Sequence, residues 1–230
     1  MALSNRTLLR MHVEAVWGVK LPTIEQNDIQ LLPDSPQPSW KLCAAHIAEG
    51  HEYIWRPDVN AKERDALRLR VDEALAFSLQ APTLPGVSHE LAFSQIATPQ
   101  LDIATARTIA RPLTLDDQQL VETFAGNSAE LAYYFHPHRR PLIGVVVARR
   151  LVCIAHSSRR TQEACELGID TLPDARRKGY ALAATLLWTQ AVQQERLLPI
   201  YSALAENTAS LGLAHAAGYR PFARVATFYE

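Results

Sequence analysis

Three cations and a glycine in a row, Arg176-Arg177-Lys178-Gly179, followed by Tyr180-Ala181, are the residues of this chain best suited to hold an anion. They stand where an apolar stretch, Glu163–Thr171, hands over to a long helical stripe. The first N–H groups of a helix lack intrahelical partners, and the aligned peptide dipoles add partial positive charge there. A glycine lets the backbone come close to a ligand, so such an end suits a phosphate or pyrophosphate. Cations in a first turn oppose the dipole, and an anion would reconcile them. Asp174 is the competitor, because its carboxylate could cap the same helix and occupy the same amides. An ordinary capped helix with a solvated basic turn is the alternative at this point.

Other reactive side chains group less well. Neither G-x-x-x-x-G-K-[ST] nor G-x-G-x-x-G occurs. Cys43, Cys153 and Cys165 sit in apolar segments without C-x-x-C spacing and read as buried, inert thiols. His136-x-His138 lacks the further ligands that zinc requires, so no metal is expected. With Arg139-Arg140 it reads as a polar loop rimming a cleft, and Tyr133, Tyr134 and Phe135 read as core or cleft wall.

The elements that must position the basic turn follow from periodicity. Leu9, Val13, Val16 and Trp17 make a helical stripe, Leu31–Ser39 a proline-rich loop, and Trp40–Ile47 with His51–Trp55 a hairpin around Glu49-Gly50. Asn60 with Glu63 forms a capping-box-like helix start, and Pro82, Pro85 and Gly86 end that helix. Residues 87–105 are poorly patterned and read as a join. Beyond it, Thr114–Asp117 opens a helix that Gly126-Asn127 closes. Leu142–Ala148 and Leu151–His156 suggest a hairpin, Ser157–Thr161 a turn, and Glu163–Thr171 a strand. A long helix from Gly179, a strand Pro199–Leu204, a helix Thr208–Ala217 and a strand Phe222–Tyr229 complete the chain. This order predicts an α/β fold with a mixed, mostly antiparallel central sheet flanked by helices. Two units are expected, an α/β N-terminal region over 1–105 and a second domain over 106–230.

The 230 residues include 23 Lys+Arg and 24 Asp+Glu, a net charge of −1. That lacks the basic excess of a generic nucleic-acid binder. No apolar run approaches the ~20 residues of a membrane-spanning helix, and the first residues read as an amphipathic helix rather than a signal peptide. A cytoplasmic protein with no nucleic-acid or membrane partner is expected, and a homodimer is left open.

R-x-x-G-x-A at 176–181, behind a strand and heading a helix, resembles the signature of the GNAT superfamily of acyl-CoA-dependent N-acetyltransferases. Asn207–Tyr219 resembles the N-x-x-A/S … G-F/Y segment of the same family. E-x-x-I-x-T ahead of the basic turn and N-x-x-S after it are most similar to the zwittermicin-resistance-type subgroup. The resemblance covers about residues 107–230 and implies acetyl transfer from acetyl-CoA to a primary amine; an N-terminal unit that narrows the cleft would favour a small molecule over a protein as acceptor. It implies that Ile169 and Thr171 flank the strand edge that pairs with pantetheine, and that amides of Arg177 to Ala181 cradle the pyrophosphate, with Arg176, Arg177 and Lys178 adding charge. Asn207 would hydrogen-bond the cofactor, assisted by Ser210. For the base, Glu166 is the first candidate and Glu163 the fallback; strand alternation puts Glu166 on one face with Gly168 and Asp170. The family's acid is a Tyr seven residues after the Asn, where this chain has Ala214. His215 and Tyr219 are the substitutes. Ala214 also motivates the alternative of a non-catalytic acyl-CoA-binding or regulatory module. The N-terminal region is expected to close over the acceptor site, as ligand sites favour domain interfaces.

Overall fold

The computed structural model describes residues 3–22, 27–33, 36–76 and 84–229. Pro82 and part of the proline-rich loop at 31–39 lie outside the described residues. In chain order the elements are α1 (Asn5–Trp17), β1 (Val19–Lys20), β2 (Gln30–Leu31), β3 (Leu42–Ile47), β4 (Gly50–Trp55), α2 (Ala61–Leu75) and β5 (Val87–Gln95). Then come α3 (Ile103–Ile109), β6 (Arg111–Pro112), α4 (Gln118–Ala125), α5 (Ser128–Phe135), β7 (Ile143–Val147), β8 (Arg150–Arg160) and β9 (Ala164–Thr171). The last are α6 (Tyr180–Gln194), β10 (Leu198–Leu204), α7 (Thr208–Ala216) and β11 (Tyr219–Phe228). The fold is mixed α/β, with large, mostly antiparallel sheet flanked by helices.

Contacts divide the chain into two compact units, one of residues 1–94, 201–211 and 220–230, the other of 95–200 and 212–219. In the first, strands run in the order β4-β3-β11-β5-β10. Period-two alternation splits β3 between two cores. Cys43, Ala45 and Ile47 join Leu9, Val13 and Trp40 on the α1 side. Leu42 and Ala44 join Leu67 and Val71 of α2 on the other. The α2 start is the full capping box, Glu63 N donating to Asn60 Oδ1 at 3.1 Å and Asn60 N to Glu63 Oε2 at 3.3 Å.

The second unit has the order β10-β9-β8-β7-β6. β6–β7, β7–β8 and β8–β9 are antiparallel, whereas β9 and β10 are parallel. Parallel neighbours need a crossover of a dozen or more residues, and α6 supplies it. One face carries the α4–α5 layer, where Val121, Tyr134, Leu142, Leu151 and Ile154 form a core. Against α6, Trp188 is fully buried and its Nε1 donates to Ser157 Oγ at 3.3 Å.

Four sequence expectations change. Residues 87–105 hold β5 and the Asp102-capped helix α3 rather than a join; buried His89 and Ser94 break the apolar alternation that would have marked the strand. The helix α5 follows α4 directly, Asn127 acting as its N-cap through a 2.9 Å bond from Glu130 N. The β7–β8 hairpin turns on Ala148 and Arg149, both at positive φ (48° and 64°), instead of on Arg149-Arg150. Finally, Ser157–Arg160 is strand, not turn. The ladder pairs Ser157 with Leu167 but Arg159 with Glu166, so Ser158 is the extra residue of a β-bulge.

Candidate active site

The head of α6 is shaped for an anion by its backbone. After β9, Pro173–Ala175 makes one 3-10 turn and Arg176 returns to an extended conformation (φ −67°, ψ 159°). Arg177 (φ +60°) and Gly179 (φ +79°) are left-handed, on either side of Lys178. Left-handed residues in such a turn can aim neighbouring N–H groups at an anion. Gly179 is the N-cap, and among the described residues no side chain bonds to the first amides of α6. A Cβ on Gly179 would meet nothing within 4 Å, so positive φ is what favours glycine and the space ahead of the helix is open. Asp174 does not cap α6; it pairs with Arg150 at 2.6 Å, which holds its carboxyl below the usual range. Arg176 through Gly179 are exposed, and Tyr180 and Ala181 are half-buried. Arg176 Nε donates to the Thr171 carbonyl at 3.3 Å, tying the basic turn to the end of β9.

The strand ahead of that turn has an open edge. The β9–β10 ladder stops at the Glu166–Ile200 pair, while β9 runs on to Thr171. Over Leu167–Thr171 the described ladder partner is β8 alone. Ile169 and Thr171 lie on this stretch, both half-buried, and Thr171 Oγ1 donates to Cys153 Sγ at 3.1 Å. Unpaired strand amides can be met by a polar ligand added along the edge.

Glu166 sits where the ladder ends and is only 5 % exposed. Its Oε2 accepts from Ser158 Oγ at 2.9 Å and from Arg159 Nη1 at 2.8 Å. The bulge makes this double grip, because two consecutive residues of β8 oppose one residue of β9. The same face of β9 continues with Gly168 and Asp170. A Cβ on Gly168 would lie 2.3 Å from His156 Cε1, so the residue opposite this buried ring must be glycine. His156 Nε2 is 3.6 Å from Asp170 Oδ2, and Tyr134 OH donates to the same oxygen at 3.2 Å. His156 holds the Asp170 carboxyl below its ordinary range, and burial, then the Asp170 charge, push the Tyr134 phenol up. Alternation pointed to one shared face for Glu166, Gly168 and Asp170, but not to Ser158, Arg159, His156 and Tyr134 as partners. The one local signal was polar His156-Ser157-Ser158 continuing an apolar strand.

The two substitute acids differ sharply. His215 is exposed on α7. Tyr219 is fully buried, its hydroxyl 2.8 Å from Thr189 Oγ1 within the interior. Ala214, at the family's Tyr position, is also fully buried. Asn207 and Ser210 belong to the first unit. There Asn207 Oδ1 accepts from Ser210 N at 3.0 Å, and Ser210 Oγ lies 2.8 Å from Tyr201 OH, a phenol that burial pushes up to about 12. The three cysteines are buried; desolvation raises all three thiols, Cys153 to about 11, which suits inert packing. Among the described residues no group of three or more His, Cys, Asp or Glu is placed to hold a metal ion, and no helix is long and apolar enough to cross a membrane.

A strand with an open edge, a basic left-handed turn and a crossover helix headed by glycine follow one another from β9 into α6. An acetyltransferase of the GNAT family from Colwellia psychrerythraea superposes with a TM-score of 0.53 at 16% identity, over 77% of this chain and 75% of that one, a likeness of fold. Another GNAT-family acetyltransferase, from Novosphingobium aromaticivorans, gives a TM-score of 0.47 at 20% identity over 64% and 68%. No curated protein matches the chain. Residues 118–226 match the family model described as GNAT acetyltransferase. The matched segment makes up just under half of the chain.

Proposed function

We propose that this protein is an acetyl-CoA-dependent N-acetyltransferase acting on a primary amine, with a small molecule favoured over a protein as acceptor. The observation that carries the reading is the start of α6, left-handed at Arg177 and Gly179 and uncapped by any side chain. It fits a pyrophosphate, since the amides are open, the glycine leaves space and three exposed cations directly precede it. Bound there, acetyl-CoA supplies an activated acetyl group as a thioester. Amides of Arg177 to Ala181 hold phosphate oxygens, and the open edge at Ile169 to Thr171 receives the polar arm. The resemblance adds Asn207 and Ser210 as cofactor contacts.

The amine nitrogen bonds to the carbonyl carbon as the carbon–sulfur bond breaks, one proton leaving nitrogen and one reaching sulfur. Glu166 is the acceptor of the first proton in this reading, supported by its place where the ladder ends. Between the candidate acids, exposure favours His215 over buried Tyr219. The zwittermicin-resistance-type subgroup, a division of roles near residue 105, a cytoplasmic location and metal-free chemistry complete the proposal.

Calorimetry with CoA tests it. The unmodified protein binds CoA and Gly179→Trp does not; an unmodified protein that fails to bind CoA sinks the reading. Ala214 supports a second reading, a non-catalytic acyl-CoA-binding module. Binding of acetyl-CoA with no thiol release over a panel of amines would favour it.

A further inference from the structure

Beside Glu166 the second unit holds a cavity of about 460 Å³ whose walls include Tyr133, His136, His138, Arg139, Ser158 and Arg159. Its size is that of a small-molecule site. Every ionisable wall residue named is basic or phenolic, and no carboxylate lines it. The two arginines differ. Arg159 is neutralised from behind by Glu166 at 2.8 Å. Arg139 stacks over the Tyr133 ring at 3.8 Å and donates through Nη1 to the backbone carbonyls of Ser157 and Ser158. Among the described residues it has no carboxylate partner, so its charge faces the cavity uncompensated. A guanidinium carries five donors in a fork that matches a carboxylate or phosphate, and its bonds here run through one nitrogen.

The same wall reaches the candidate base. Ser158 and Arg159 both line the cavity, and both bond to Glu166 Oε2. A ligand whose anion rests on Arg139 thus shares its wall with the two residues that grip Glu166. Resting on the acetyl-transfer reading, we propose that this cavity binds the anionic group of the acceptor, so that the acceptor is a small primary amine bearing its own carboxylate or phosphate. A polyamine or a lysine on a basic protein surface meets a like charge here and is disfavoured.

Glycine and O-phosphoethanolamine as probes, against ethanolamine and spermidine, separate the possibilities. Calorimetry on the full chain saturated with CoA should show one or both anionic amines binding at least about tenfold tighter than ethanolamine, as a desolvated charge pair implies. Glycine alone assigns the site to carboxylates and O-phosphoethanolamine alone to phosphates. Arg139→Met should remove that preference and Arg139→Lys restore part of it. Because Arg139 also holds Ser158, a second variant is needed: Ala132→Glu, at an exposed wall position, brings a negative charge to the cavity without touching the core. It should raise KM for the anionic amine about tenfold with kcat nearly unchanged, and leave CoA affinity intact. Equal or tighter binding of ethanolamine or spermidine, no binding of either anionic amine at millimolar concentration, or indifference to Ala132→Glu overturns the inference. If CoA still binds and neutral or cationic amines are acetylated, the acetyl-transfer reading stands alone; if CoA does not bind, both fall.

Discussion

The starts of α6 and α7 differ in what closes them. At α7, Asn207 Oδ1 accepts from Ser210 N at 3.0 Å, so a side chain of the chain itself fills the first turn. At α6, the cap is Gly179, no side chain among the described residues bonds to the first amides, and the nearby carboxylate of Asp174 is drawn off to Arg150. Both follow strands of the same kind of sheet, and both could have been closed in the same way. A helix start that is closed contributes to stability whether or not a ligand is present. One left open, with cations crowded against the dipole, gives up that stability in the free protein and recovers it when an anion arrives.

Making the two ends alike gives the largest effect. Gly179→Asp would set a carboxylate on the α6 amides, and CoA affinity measured by calorimetry should fall on the order of 100-fold, as hydrogen bonds to charged groups are worth roughly 1.5–3 kcal/mol. Unchanged affinity would mean that the open start is not the seat. Next is the reverse operation at α7. Asn207→Ala should cost the free protein about 1 kcal/mol of unfolding free energy in a urea titration, whereas any loss on Gly179→Ala comes from the left-handed backbone at that position and not from a lost cap.

Arg150→Ala is subtler. It frees Asp174 to approach the α6 start, and CoA should bind about two- to fivefold more weakly, the size of a helix-terminus charge effect of roughly 0.3–1 kcal/mol. The smallest effect is in acid. Asp117 accepts from Thr114 N at 3.0 Å and pairs with Arg111, which holds its carboxyl below the ordinary range. A folded value below the unfolded one gives stability that is present above the ordinary carboxylate pKa and lost as pH falls through the folded value. Asp117→Asn should therefore flatten the acid limb of a stability-against-pH curve, while Asp174→Asn, at a fully exposed site, should leave it nearly unchanged.

Local chemistry was legible and pairing was not. The basic turn, the long helix behind it, the Asn60–Glu63 cap and the β3–β4 hairpin announce themselves within a few residues of sequence, because caps, glycines and helical stripes act locally. The strand β5 was hidden because its buried set includes His89 and Ser94, whose types imply exposure. The helix α5 was hidden by Gly126-Asn127, read as an end when Asn127 is also a beginning. In the candidate site, the residues around Glu166 and Asp170 come from β8 and α5, and only the three-dimensional register brings them there. Tyr219 shows the reverse limit, since it stood as a substitute for the Tyr missing at Ala214 and its setting is a buried contact with Thr189.

The bulge at Ser158 has an arithmetic of its own. In a regular antiparallel ladder one residue of β8 would stand opposite Glu166, and its neighbours would point away. The extra residue lets Ser158 and Arg159 both present donors to one carboxylate oxygen, and it does so without moving any pair beyond it: Arg160 still stands opposite Cys165. Deleting that single codon would heal the strand and leave Arg159 in register with one fewer hydrogen bond at its side. The environment of Glu166 is thus adjustable by insertion or deletion as well as by substitution, a route of variation that leaves the rest of the ladder as it was.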